Sequence, residues 1–208
     1  MRVIAASLLL LAALTTGAAA QTYGQYGVGA ANSYGPTAHQ TPPSEDARPQ
    51  SRDAMAVAED MRLKGQCDKA VPILRRFAER GGGYEIAQFN LAQCMFDLAA
   101  KEQDAAQVKA LRDEGAQWML RSANGGFAKA QAKAVVLYLD GVGVAADPVE
   151  AEKWAELYHS NVMRFTIGLP DISKDLRGRL DSQLTEANRV EAENRVHAWT
   201  PSAGEAEE

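Results

Sequence analysis

Histidine and cysteine are scarce in this chain. Its 208 residues hold three histidines, His39, His159 and His197, and two cysteines, Cys67 and Cys94. No histidine stands at ligand spacing from another or from a cysteine, so the usual patterns for a zinc site are missing and no cofactor is expected. Long apolar runs are also lacking. The N-terminal one, Val3 to Leu14, falls short of the roughly 18–20 residues that span a bilayer, and no second run follows. Basic residues do not dominate either: 22 Lys and Arg stand against 27 Asp and Glu, a net charge of −5. That balance disfavours nucleic acid and anionic membrane surfaces as partners. Catalytic signatures are absent too, with no nucleophile beside a base and no carboxylate pair at telling spacing. The run Gly81, Gly82, Gly83 is preceded by no strand pattern and followed by no Lys-Ser or Lys-Thr, which excludes a phosphate loop.

The ends of the chain carry recognisable composition. Arg2, the apolar run and the small residues Ala18, Ala19 and Ala20 before Gln21 read as a secretory signal peptide over 1–20, cleaved after Ala20. The expected location is therefore periplasmic, if the source is a Gram-negative bacterium, or secreted, with no stable membrane insertion after cleavage. Residues 21–52 are rich in Gly, Tyr, Gln, Pro, Ser and Thr, with Tyr-Gly at 23, 26 and 34. Such a segment buries too little apolar surface to offset the entropy of ordering, so it reads as a disordered leader, either a spacer or a contact. Residues 200–208, with Pro201 and Gly204, read as an acidic disordered tail.

Between these ends, Gly126 to Ser160 is the most informative stretch. Ala130, Ala134 and Tyr138 recur at helical spacing, and Gly141 and Gly143 follow where a helix stops and the backbone turns left-handed. Asp147 before Pro148 predicts an N-cap and first helical position. Ala151, Trp154, Ala155 and Tyr158 then form an apolar stripe. Together these predict a helical hairpin.

The hairpin recurs. Ala130, Ala134, Tyr138 and Gly141 correspond to Ala87, Leu91, Met95 and Leu98, forty-three residues earlier, and these to Ala54, Ala58, Arg62 and Gly65, thirty-three further back. In the second helices, Ala151 and Trp154 match Gly115 and Trp118; Gly115, Trp118, Ala123 and Gly126 match Ala70, Ile73, Ala78 and Gly81. Repeats of this length predict an all-α solenoid of about three antiparallel hairpins over 53–160, each burying its apolar face against its neighbours. Trp118 and Trp154, at matching positions, are expected as core pillars. Asp97 and Asp140 close the first helices at equivalent positions, which points to a structural role.

At Gly141, Val142, Gly143, Val144, Asp147, Ala151 and Trp154 the chain resembles the Sel-one-like repeat family, relatives of the tetratricopeptide repeats. The third unit matches that pattern well. The first two depart from it: Arg62 and Met95 replace the aromatic, Leu98 replaces the Gly, and residues 101–108 stretch the middle loop. The resemblance implies a non-catalytic protein-protein interaction scaffold or adaptor of the cell envelope, binding an unknown protein or peptide along the groove lined by first helices. By likeness to related helical repeats, Gln88 and Gln131, each one residue after the equivalent Ala87 and Ala130, are the expected partner contacts; the competing reading has these amides capping or bridging neighbouring hairpins. A further alternative, drawn from cysteine-rich members of the family, is a small envelope hydrolase or binder of cell-wall or β-lactam-like compounds.

The two cysteines bracket the turn near Gly82, one fifteen residues before it and the other twelve after. In antiparallel helices their heights then differ by only about 4–5 Å at ~1.5 Å per residue, which favours a Cys67–Cys94 disulfide in an oxidising compartment. Asp68 reads as the cap of the helix that contains Pro72. Past Ser160 the pattern fails, and residues 161–199 read as a C-terminal cap of two short helices. Asp171 caps one carrying Ile172, Leu176 and Leu180; Thr185 caps another with Ala192, Val196 and Trp199 on one stripe. The charged residues from Glu186 to Arg195 read as a solvated face with pairs such as Glu191 to Arg195.

Overall fold

The computed structural model describes residues 47–202. Among the described residues the regular structure is entirely helical: α1 (Ala47–Leu63), α2 (Cys67–Ala78), α3 (Glu85–Ala99), α4 (Ala105–Asn124), α5 (Ala128–Asp140), α6 (Pro148–Ser160), α7 (Val162–Thr166), α8 (Lys174–Asp181) and α9 (Glu186–Ala198). The expected signal peptide, most of the expected leader and residues 203–208 of the expected tail lie outside the described residues. No helix among the described residues is long and apolar enough to cross a membrane.

From α1 to α6, each helix packs on the next in sequence; α1 also touches α3, and α9 lies on α6. Small residues set these seams. Ala58, Ala70, Ala87, Ala92, Ala116, Ala123, Ala130, Ala134 and Ala151 are buried where helices meet, and Gly115 leaves room for α3, since a Cβ there would stand 3.0 Å from that of Met95. Leu74, Leu91, Met119, Val135 and Trp154 fill the space between, closing one continuous core.

The α5–α6 hairpin follows its sequence signals closely. Gly141 ends α5 in the left-handed conformation with φ of 67°, and Asp147 caps α6 by accepting from the backbone N–H groups of Val149 and Glu150. Gly143 has a second duty. Its turn presses onto α4 so tightly that a Cβ would sit 2.3 Å from the Arg112 carbonyl oxygen and 2.7 Å from Ala116 Cβ.

Elsewhere the boundaries differ from expectation. Helix α1 begins at Ala47, so the last residues of the expected leader are helical. Helix α2 begins at Cys67: the N–H groups of Lys69 and Ala70 already donate to Gln66 O, so Asp68 lies inside the first turn and Pro72 inside the helix. The stretched middle loop is shorter than expected, because Asp104 caps α4 by accepting from Gln107 N–H. Helix α7, capped by Asn161, was not foreseen. Ser173, not Asp171, caps α8, since Asp171 spends its carboxylate on Ile172 N–H and on His159. Thr185 caps α9 as expected, in a reciprocal box with Asn188. Past α9 the chain still packs: Ser202 N–H donates to Asn124 O at 2.8 Å.

Candidate functional site

Gln88 and Gln131 are interior residues, each 1% exposed. The Gln88 amide nitrogen, Nε2, donates to Ala78 O at 3.2 Å and Gly81 O at 3.3 Å; Gln131 Nε2 donates to Ala123 O at 3.5 Å. Ala78 and Ala123 are themselves corresponding positions, so the same amide in successive hairpins reaches back to the C-terminal end of the preceding helix. There it adds a second donor to a helix-end carbonyl that the following turn also meets, Gly81 N–H reaching Ala78 O at 3.4 Å and Gly126 N–H reaching Ala123 O at 2.9 Å. Residues with no surface cannot line a groove, and the expectation that these two meet a partner is corrected: they bridge hairpins. The two differ at their oxygens. Gln131 Oε1 accepts from Asn161 Nδ2 at 2.7 Å, whereas Gln88 Oε1 is buried without a partner.

Cys67 and Cys94 form the disulfide of this chain, Cα to Cα 5.0 Å, and both are fully buried between α2 and α3. The spacing is ordinary for an unforced bridge. Ala87 and Ala130 are buried beside the bridging amides. Trp118 and Trp154 are buried as well, in unequal company. Trp118 Nε1 donates to Glu114 at 3.2 Å and Glu114 pairs with Arg75, tying α4 to α2. Trp154 Nε1 has no partner, and its ring meets the edge of Trp199 at 6.4 Å.

First helices expose other side chains in place of the glutamines. Ile86 on α3 is 53% exposed, and Lys129 and Lys133 on α5 are exposed. Asp97 is exposed at the end of α3, and Asp140 pairs with Arg179 of α8, which gives the second of these equivalent acids a structural partner.

A cleft of about 450 Å³ opens between α6 and α9, lined by Glu152, Glu156, Ser160, Arg189, Glu193 and His197 among others. Its hydroxyl is not poised as a nucleophile: Ser160 Oγ donates to Glu156 O at 2.9 Å and Leu157 O at 3.3 Å. Its most buried charge, Glu152, is held by Arg177 and by Arg189 at 3.3 Å. Both arginines also bind Asp181, at 3.0 and 2.9 Å, closing a ring of four charges across α6, α8 and α9. Arg195 adds a second clasp, to Asp147 and Glu150 at 3.1 Å each. The expected Glu191–Arg195 pair is present, but this face is not merely solvated, because Arg189 and Arg195 cross to α6.

These contacts shift the carboxylates. Burial works to raise the Asp147 pKa, but the Glu150 N–H, Arg195 and the Val149 N–H outweigh it and hold the carboxyl below its ordinary value. Arg189 first, with Arg177, does the same for Asp181 against a small opposing effect of burial. The ring escaped sequence reasoning because its members lie 4 to 37 positions apart and only Arg177–Asp181 has helical spacing.

No protein-family model, curated protein or solved structure matches this chain.

Proposed function

We propose that the chain is an exported helical-repeat scaffold of the Sel-one-like type, a protein-protein interaction module of the cell envelope that binds a protein or peptide and catalyses no reaction. The observation that carries this reading is the paired use of Gln88 and Gln131. Corresponding amides fasten corresponding helix ends, Ala78 and Ala123, in successive hairpins, as a stack of like units requires. The sequential packing from α1 to α6 supports the same reading. With the glutamines withdrawn into the seams, the groove reading moves to the exposed first-helix positions Ile86, Lys129 and Lys133. An exposed isoleucine on α3 and exposed lysines on α5 suit an extended segment with apolar and acidic side chains.

Crosslinking in intact cells, followed by identification of the captured protein, tests this directly. Ile86→Glu with Lys129→Glu and Lys133→Glu is expected to abolish capture while leaving thermal unfolding within a few degrees of the parent chain. Capture unaffected by all three changes would remove the groove.

A further inference from the structure

Charge is laid unevenly along this chain. Between Glu114 and Asp140 it holds no Asp or Glu, only the cations Arg121, Lys129 and Lys133, although the whole carries a net charge of −5. The opposite bias follows α9: residues 203–208 read Ala-Gly-Glu-Ala-Glu-Glu, with acids at Glu205, Glu207 and Glu208 and no base. The fold brings the start of this acidic stretch to the basic one. Ser202 N–H donates to Asn124 O at 2.8 Å and Trp199 Nε1 to Asn124 Oδ1 at 3.4 Å, which fastens the chain beyond α9 to the last residue of α4.

Asn124 lies three positions after Arg121 and five before Lys129. Five residues span at most about 18 Å when extended, and the α4–α5 turn is folded shorter, with Gly126 N–H on Ala123 O at 2.9 Å and Phe127 N–H on Ser122 O at 3.1 Å. The residues after Ser202 reach up to about 20 Å, and Lys133 stands one helical turn, about 6 Å, beyond Lys129. Both lysines are exposed and neither belongs to an ion pair among the described residues. Arg121 is half-buried, over the Trp118 ring at 4.7 Å. Glu85, whose side chain lies against Gly125, gives its carboxylate to Gly83 N–H at 2.9 Å.

We propose that residues 203–208 dock on the cationic surface of Arg121, Lys129 and Lys133, so that the chain carries its own acidic ligand for that surface. Three carboxylates face three cations, and the tether at Asn124 holds them at high effective concentration, which offsets the small worth of any one exposed pair. One consequence rests on the groove reading: a tail on Lys129 and Lys133 shields them from an outside acidic segment. Lysines covered about nine-tenths of the time bind a rival about tenfold more weakly than open ones.

Zero-length carbodiimide coupling of the unaltered full chain tests the docking, because it joins a carboxylate to an amine, as an amide with loss of water, only where the two already touch. Peptide mapping is expected to find residues 203–208 joined to Lys129 or Lys133 roughly tenfold more often than to Lys69 or Lys109, exposed lysines at the starts of α2 and α4. Raising salt from about 0.05 to about 0.5 M shortens the Debye length about threefold, and the coupling is expected to fall with it. A mixture of isotope-labelled and unlabelled chains should show the joined peptides arising within one chain. Coupling spread evenly over the exposed lysines, formed only between two chains, or absent would overturn the docking. Intact-cell crosslinking with Glu205→Gln, Glu207→Gln and Glu208→Gln together reads the shielding: capture is expected to rise roughly twofold to tenfold. Equal capture by variant and parent would sink the shielding and leave the groove. No capture by either would sink the groove reading, while tail-to-lysine coupling would still uphold the docking.

Discussion

The seam between α2 and α3 and the seam between α6 and α9 do comparable jobs with opposite chemistry. In the first, Leu74, Leu91 and Phe77 are buried beside a disulfide with both sulfurs out of contact with solvent. In the second, a ring of Glu152, Arg177, Asp181 and Arg189 and a clasp at Arg195 span an incompletely filled cleft. A covalent, apolar seam is indifferent to salt and to mild acid, while an ionic one answers to both. The chain is thus expected to be robust over its first hairpins and adjustable at its last.

The largest test of that contrast is removal of the bridge. Cys67 and Cys94 lie 27 residues apart, and a loop of that size is worth roughly 3–4 kcal/mol of unfolding free energy. Cys67→Ala with Cys94→Ala is expected to lower the denaturation midpoint accordingly, by the same amount at low and high salt. A salt-dependent loss would place ionic contacts in a seam where the structure has apolar ones.

Next in size comes Gly143, midway between the two ends. Alanine there meets both a left-handed backbone, φ 69°, and the carbonyl of Arg112 at 2.3 Å. The strain and displacement together cost roughly 2–4 kcal/mol, measurable by urea titration. The contact is steric, so its cost should not change with salt or pH. Gly143→Ala at no cost would mean that the turn stands clear of α4.

How far these features could be read beforehand follows from the range of the interactions that make them. The α5–α6 hairpin was legible because Gly141, Asp147 and Pro148 act on their own backbone within a few residues. Cys67 and Cys94 were legible because a single turn fixes their relative height. The first turn of α2 was misread, since Gln66 starts it with no side-chain bond to announce it, and Asp171 was misread because its carboxylate serves His159 twelve residues away. Gln88 and Gln131 were expected on a groove and are buried instead: periodicity places a residue on a face but does not tell which face is covered. The charge ring had no sequence signal, because Glu152 and Arg189 meet only once α9 has folded back on α6.

Glu152→Ala is the sharper probe of the ionic seam. Loss of a fully buried ion-pair partner can cost about 3–5 kcal/mol, but Arg177 and Arg189 are 30% and 38% exposed and regain water, so about 1–2 kcal/mol is expected. The loss should shrink at high salt, the reverse of the behaviour of the cysteine pair, and a loss independent of salt would show that packing rather than charge holds α9.

The smallest effect is the most diagnostic of sign. Asp147 has its pKa lowered in the folded chain: burial raises it, and the Glu150 N–H with Arg195 more than compensates. A group depressed in this way stabilises the fold above its unfolded value, about 3.9, and that contribution drains away as pH falls through the lower folded value. Asp147→Asn keeps an acceptor for the Val149 and Glu150 N–H groups yet removes the charge facing Arg195. At neutral pH the variant is expected to be less stable by under about 1 kcal/mol, the range of a partly exposed pair. As pH falls below about 4 and on through the lower folded value, the parent chain protonates Asp147 itself, and the two melting temperatures should converge. Curves that stay equally separated down to about pH 2 would assign the cost to the cap and not to the clasp.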